Sequence, residues 1–119
     1  MEELTYDGFI SAINLIAKRI KDLDIKTIYG VPRGGRGIEL YLSHKTEIPV
    51  VEKEDIDEHT LIVDDLADTG KTLLKYKLLG CKIATIYYHK QSKVIPDVWI
   101  YEKKKDWILF PWETEKSTR

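Results

Sequence analysis

The sequence predicts an α/β fold, in which a parallel β-sheet is flanked by helices. Apolar residues recur at helical spacing from about residue 5 to 21, which is typical of a helix that packs one face on a sheet. Short apolar runs then alternate with further helical segments. Two of these runs lead directly into a glycine-rich turn and an acidic stretch, and parallel strands bind ligands at their carboxyl ends.

The predicted elements follow the order helix, strand, helix, strand, strand, helix, strand, strand. After the first helix come a strand at 25–29, a helix that ends near His44, strands at 48–51 and 60–63, a helix at 69–79, and strands at 82–88 and 98–101. An aromatic segment, 107–112, follows. Because there is no repeat and no linker, we predict one domain over residues 1–112, with 113–119 as a polar tail.

Length, charge and cysteine content narrow the class of protein. A chain of 119 residues has the usual size for a single core. Its net charge of -1 gives no reason to expect nucleic acid or a membrane surface as a partner. Cys81 is the only cysteine, so it forms no internal disulfide, and we expect it to be a small buried hydrophobe. The acidic start and the lack of a long apolar run predict a cytoplasmic protein.

The segment 61–73 carries the strongest chemical pattern of the chain. Its apolar start reads as a buried strand, so Asp64 and Asp65 are expected at the strand's solvent edge, as acceptors for vicinal hydroxyls or a divalent cation. Asp68-Thr69-Gly70-Lys71-Thr72 follows and supplies backbone amides, hydroxyls and an ammonium at a helix start, which is an anion site. Diol binding followed by phosphate binding predicts a ribose 5-phosphate ligand.

Two other interpretations of this segment were considered. A nucleotide-binding Walker A loop needs a glycine five positions before Gly70, where Asp65 stands instead, and this excludes it. The second is an acidic strand end followed by a helix that Asp68 or Thr69 caps. Capping leaves the adjacent pair Asp64 and Asp65 without an explanation.

The turn after the first strand is the second chemical feature. Gly34, Gly35 and Gly37 allow the backbone to lie close to a ligand. Arg33 and Arg36 add two permanent positive charges at the same strand edge. This composition suits a polyanion.

Three segments of the chain resemble one family. Residues 61–73 resemble the phosphoribosyl pyrophosphate (PRPP) signature of the type I phosphoribosyltransferases, apart from Lys71, where many members have a second glycine. Val31 to Gly35 resembles the pyrophosphate loop of the xanthine-guanine phosphoribosyltransferase group. Residues 107–113 resemble the C-terminal end of the same enzymes.

The resemblance implies a type I phosphoribosyltransferase fold with a small C-terminal hood, and it assigns roles to residues. It implies Asp68 as the group that takes the proton from purine N7, Mg2+ as cofactor with Asp65 as a ligand, and a candidate cis peptide between Pro32 and Arg33. Base contacts come from Lys90 at the 6-oxo group, from stacking by Trp107 and from the backbone at Ile108. The implied PRPP contacts are Arg33, Gly34, Gly35, Asp64, Asp65, Asp68, Thr69, Gly70, Lys71 and Thr72.

The sequence therefore predicts a Mg2+-dependent enzyme that transfers phosphoribose from PRPP to guanine, xanthine or hypoxanthine, as a dimer or tetramer. One feature favours an alternative. The family has a long mobile lid before the acidic-motif strand, whereas this chain has only the short, acidic segment 52–59, which repels a polyanion unless Mg2+ intervenes. The alternative is a regulatory protein that binds PRPP or a nucleotide and has little catalytic activity.

Overall fold

The computed structural model describes residues 2–104 and 108–113. In chain order, its elements are β1 (Glu2–Glu3), α1 (Tyr6–Arg19), β2 (Thr27–Gly30), α2 (Gly35–Thr46), a 3-10 turn (Lys53–Asp55), β3 (Thr60–Ala67), α3 (Lys71–Leu78), β4 (Lys82–Tyr88), β5 (Val98–Glu102) and β6 (Ile108–Leu109). Within the described ranges, no helix combines the length and the apolar character that crossing a membrane requires.

Four parallel strands form the main sheet in the order β2-β3-β4-β5. This confirms the α/β prediction. The predicted strand at 48–51 is wrong as an independent strand, because the segment makes only a single parallel bridge, Ile28 to Val50. That bridge lies on the side of β2 away from β3. After β2 the chain therefore first passes along this side, and then crosses to form β3 on the opposite side of β2.

Both faces of the sheet are covered. In β3, Leu61 and Val63 belong to the core cluster that includes residues of α1 and α2. Ile62, which points the opposite way, belongs to a second cluster with Leu73 and Tyr76 of α3. Burial on both faces explains the continuous apolar runs of these strands.

The first helix begins where its sequence indicates. The Thr5 hydroxyl accepts a hydrogen bond from the Gly8 amide at 3.1 Å, which satisfies one of the amide groups left unpaired at a helix start. One face of α1, including Phe9, Ile13 and Ile16, is buried. This helix is scaffolding.

The two ends of the chain meet in a second, two-stranded sheet. β1 pairs with β6 in parallel, with Glu2 opposite Ile108 and Glu3 opposite Leu109. The Leu4 amide continues the pairing by donating to the Leu109 carbonyl at 2.9 Å. The small C-terminal unit is therefore held by the N-terminal residues, which the sequence did not predict.

Candidate active site

A cleft of about 640 Å³ opens at the carboxyl edge of the sheet. It lies where the loops after β2 and β3 diverge. They diverge because β2 is bridged to Val50 on one of its sides and paired with β3 on the other. Such a reversal of strand order leaves a crevice between the two loops, which is where open α/β sheets bind ligands.

The first wall of the cleft is the loop after β2. Val31, Pro32, Arg33 and Gly34 line it, and the Pro32-Arg33 peptide is cis. Gly35 lies behind this wall, where a Cβ atom would be 2.4 Å from the Val63 carbonyl oxygen. Gly35 therefore serves close packing of the loop on β3.

The two arginines of this loop have different environments. Arg33 is exposed and lines the cleft. Arg36 instead forms a 3.3 Å ion pair with Glu39 and lies over the Tyr29 ring, 5.6 Å from its centre. Glu39 is buried and also accepts a hydrogen bond from the Gly30 amide at 2.9 Å. Arg33 is therefore the arginine available to a ligand's anionic group.

Asp64 and Asp65 both line the cleft but differ in exposure. Asp64 is partly exposed, and one of its carboxylate oxygens accepts a 2.8 Å hydrogen bond from the Asp65 amide. Asp65 is only 1% exposed; its carboxylate lies under the Gly34 loop, where a Cβ atom on Gly34 would come within 2.2 Å of Oδ2. The expectation that both carboxylates stand at the solvent edge is wrong for Asp65, because the loop after β2 folds over it.

The loop between β3 and α3 forms the floor of the cleft. Asp68 and Thr72 line it, whereas Thr69, Gly70 and Lys71 do not. Gly70 has a φ of 82° and is the N-cap of α3, with no side-chain capping hydrogen bond. Asp68 is therefore not the cap of this helix, and the interpretation that Asp68 is present as a helix cap is wrong.

Asp68 is held by two side chains from other loops. Its Oδ1 accepts a 2.9 Å hydrogen bond from the Gln91 amide group. Its Oδ2 lies 3.6 Å from the Lys103 ammonium. The first partner follows β4 and the second follows β5, so three consecutive strand ends converge on this carboxylate.

The last wall comes from the C-terminal segment. Ile108, Phe110, Trp112 and Glu113 line the cleft. Trp112 is 44% exposed and stacks on Phe110, with ring centres 5.3 Å apart. The predicted stacking residue Trp107 lies outside the described residues.

Two further predicted features lie away from the cleft. Lys90 is exposed and is not part of the lining. The short acidic segment 52–59 also contributes nothing to it. This segment leads into the opposite end of β3, where His59 lies 3.1 Å from Asp24 and the Asp57 amide donates to the Thr60 hydroxyl.

Sequence reasoning missed Lys103, Gln91 and Glu113 as site residues. Lys103 directly follows β5 and Gln91 follows β4, so both lie after parallel strands, as Asp68 does after β3. Because the carboxyl ends of parallel strands lie at one edge of the sheet, this position is a sequence signal that could have indicated both residues. Glu113 had no comparable signal, because its Oε1 reaches the cleft region through a turn in which it accepts from the Phe110 amide at 3.2 Å.

Fold and cleft together define a type I phosphoribosyltransferase. No family model matches the chain, but individual proteins do. It is 31% identical to the xanthine-guanine phosphoribosyltransferase of Desulfotalea psychrophila, over 96% of this chain and 87% of that protein. It is 44% identical to the protein of the same name from Nitratidesulfovibrio vulgaris, over 49% of this chain and 37% of that protein.

Solved structures agree. A purine phosphoribosyltransferase from Pyrococcus horikoshii has a TM-score of 0.81 and 30% identity, with 99% of this chain and 97% of that chain covered. A xanthine-guanine-hypoxanthine phosphoribosyltransferase from Helicobacter pylori has a TM-score of 0.79 and 19% identity, with 96% and 94% covered. The chain belongs to the purine phosphoribosyltransferase family.

Proposed function

We propose that this protein transfers the 5-phosphoribosyl group of PRPP to a 6-oxopurine, with release of pyrophosphate. The observation that carries the proposal is the convergence of Arg33, Asp64 and Asp68 in one cleft at the switch point of the sheet. Arg33 and the Gly34 loop would hold the pyrophosphate. Asp64 would accept hydrogen bonds from the ribose hydroxyls. The loop of residues 69–72, of which Thr72 lines the cleft, would bind the 5-phosphate through its amides and hydroxyls.

The chemistry asks the protein mainly to orient the reactants and to stabilise charge. The anomeric carbon loses pyrophosphate as the base nitrogen attacks, so the groups around the leaving oxygens should bind the transition state more tightly than the substrate. Arg33 can supply a permanent positive charge there. Asp68 would take the proton that the purine ring nitrogen loses.

Mg2+ fits this site as a cofactor. Phosphate-binding sites usually hold it through one or two carboxylates together with substrate phosphate oxygens. Asp64 and Asp65 offer two adjacent carboxylates, and no larger cluster of metal-ligand side chains exists among the described residues. Asp65, the ligand that the resemblance implies, is deeply buried, whereas Asp64 is the more accessible of the two. When bound, Mg2+ would neutralise charge on the pyrophosphate.

The purine would lie against the C-terminal wall. Trp107 would stack on it, Ile108 would contact it through the backbone, and Lys90 would donate to its 6-oxo group after moving toward the cleft. The names of the two curated relatives favour guanine and xanthine as bases. Because these relatives are named as transferases, they favour catalysis over the alternative of a nucleotide-binding regulator.

The direct test is incubation with PRPP, Mg2+ and each purine base, with detection of nucleotide and pyrophosphate. We expect product with at least one 6-oxopurine and none with adenine. Asp64→Asn should weaken PRPP binding in calorimetric titration, because a neutral amide is a poorer partner for vicinal hydroxyls and Mg2+ than a carboxylate. Asp64 is preferred to Asp65 for this test because its substitution leaves the Gly34 packing intact.

The matched control is Asp55→Asn, which removes the same charge from an exposed residue outside the cleft. It should bind PRPP like the wild type. Equal PRPP affinity in Asp64→Asn and the wild type would contradict the assignment of Asp64. We expect the active species to be a homo-oligomer. The same assay should therefore be run on fractions whose molar mass has been measured by light scattering.

A further inference from the structure

We infer that Lys103, together with Gln91, is a positioning residue for the Asp68 carboxylate. The inference rests on the proposed function, in which Asp68 takes the proton of the purine ring nitrogen. Neither Lys103 nor Gln91 belongs to the motifs by which the sequence points to this activity.

The contacts of Asp68 carry the inference. Each carboxylate oxygen has its own partner, with Gln91 Nε2 at 2.9 Å from Oδ1 and Lys103 Nζ at 3.6 Å from Oδ2. An aspartate on a loop is otherwise able to rotate about its χ1 and χ2 angles. The hydrogen bond from Gln91 and the ion pair with Lys103 act on opposite oxygens and so restrict that rotation.

Lys103 is itself held in place. Its amide donates to the Tyr88 carbonyl at 2.9 Å, which continues the contact between β4 and β5 past their last pair. Its side chain is only 15% exposed, whereas that of Asp68 is 41% exposed. Asp68 is thus the more exposed member of the pair, and both residues line the cleft.

Among the residues that the structure describes, Lys103 is one of two cationic residues in a cleft that is lined mainly by acidic charges. The other acidic lining residues are Asp64, Asp65 and Glu113, and the other cationic one is Arg33 on the first wall. Lys103 is the lining cation that the structure pairs with Asp68. Its pairing with Asp68 reduces the cost of orienting that carboxylate during the reaction.

The test compares Lys103→Met with Lys103→Arg in the steady-state transfer assay. Methionine keeps the unbranched shape and most of the length of the side chain and removes its charge, so kcat should fall by roughly 10-fold to 10²-fold, the range for a misplaced reacting group. The KM for PRPP should change less than kcat, because Lys103 is paired with Asp68 and with none of the other residues proposed to hold PRPP. Arginine should retain most of the wild-type kcat, because it keeps the charge.

Two controls separate positioning from general disruption. Lys104→Met removes the same charge from the exposed neighbouring residue and should behave like the wild type. In an Asp68→Asn background, adding Lys103→Met should cause no further loss of kcat, because a residue that acts through Asp68 has nothing left to position.

The outcomes are distinct. If an active wild type and Lys103→Met have the same kcat, or if the two substitutions multiply, the inference is overturned while the proposed function stands. A parallel rise in KM for PRPP with no rescue by arginine would assign Lys103 a merely structural role. If the wild type transfers phosphoribose to no purine, the proposed function fails and the inference fails with it.

Discussion

Gly34 shows how a single residue joins the two halves of the cleft. Its α-carbon lies against the buried Asp65 carboxylate, and an added Cβ atom would fall 2.2 Å from Oδ2. The sequence indicated that glycines here allow close approach to a ligand. The structure shows that at Gly34 the close neighbour is the protein's own carboxylate.

A pair of glycine substitutions tests this packing. Gly34→Ala should destabilise the protein by about 1 to 3 kcal/mol, the usual range for overpacking, and should also weaken PRPP binding. Gly37→Ala should be stabilising by up to about 1 kcal/mol, because Gly37 lies inside α2 and its added Cβ would make an ordinary 3.6 Å contact with the Trp112 ring.

Urea unfolding of the two variants and of the wild type measures both effects. Equal stability of Gly34→Ala and the wild type would mean that the loop shifts freely away from Asp65. PRPP titration of the same proteins then shows whether the loop's position matters for binding.

Cys81 was predicted correctly as a buried hydrophobe. It is 3% exposed, and its thiol donates to the Asp57 carbonyl at 3.3 Å. Burial, with a smaller contribution from Asp57, raises the pKa of the Cys81 thiol. Because the thiolate is the reactive form, this cysteine is a packing group and not a chemical one.

At the scale of elements, β2 and α2 are joined by a side chain, because the Glu39 carboxylate accepts from the Gly30 amide at the strand's last residue and pairs with Arg36. The residues between these contacts form the first wall of the cleft. The position of Arg33 therefore depends on a buried acid on the following helix.

Replacing Glu39 tests that dependence. Glu39→Ala should lower the free energy of unfolding by about 1 to 3 kcal/mol, because it leaves the buried Gly30 amide without an acceptor. It should also weaken PRPP binding through the displaced loop. Glu39→Gln keeps an acceptor oxygen and should be the milder change in thermal unfolding and in PRPP titration. If the alanine variant is as stable as the wild type, Glu39 does not hold this loop.

The elements also show what the sequence predicts well and where it stops. β4 was predicted with its observed bounds, Lys82–Tyr88, because its apolar run is buried on both faces. β3 was expected to end at Val63, yet it continues to Ala67, because β4 pairs with it along this stretch, Asp64 opposite Thr85 and Ala67 opposite Tyr88. In the sequence, two carboxylates after an apolar run suggest that the strand has ended. Only the pairing with the neighbouring strand shows that it continues.

The candidate site, like the strands, was predictable where the signal is local in the sequence. Asp64, Asp68 and Thr72 belong to one local motif, and all three line the cleft. Lys103 reaches Asp68 only through the pairing of β5 with β4, which depends on tertiary structure. Residues that recognise substrate through local motifs are visible in the sequence, whereas those that support them from other loops are not.

For the whole molecule, the pairing of β1 with β6 predicts that the N-terminal residues support the C-terminal wall of the cleft, where we propose that the base binds. Leu4 is 5% exposed in the main core cluster, and its amide is bonded to Leu109. Leu4→Ala should therefore cost about 2 to 3 kcal/mol of stability and weaken guanine nucleotide binding more than PRPP binding.

The control for this change is Glu3→Gln, which keeps the backbone pairing of β1 and removes only a charge. Calorimetric titration with GMP and with PRPP, next to urea unfolding, measures the three quantities on each variant. If Leu4→Ala weakens PRPP and GMP binding equally, β1 supports the whole domain and not the C-terminal wall in particular.

The same pairing fixes an order in time during protein synthesis. Glu2 and its partner Ile108 are more than a hundred positions apart, so at about 5 to 20 residues per second the first strand waits several seconds for its partner. The strands β2 to β5 pair in the order in which they leave the ribosome, and the part of the cleft that the loops after β2 and β3 line can form during that wait. The C-terminal wall of the cleft is then the last of the described elements to be built, and a chain that stops before residue 108 cannot build it at all.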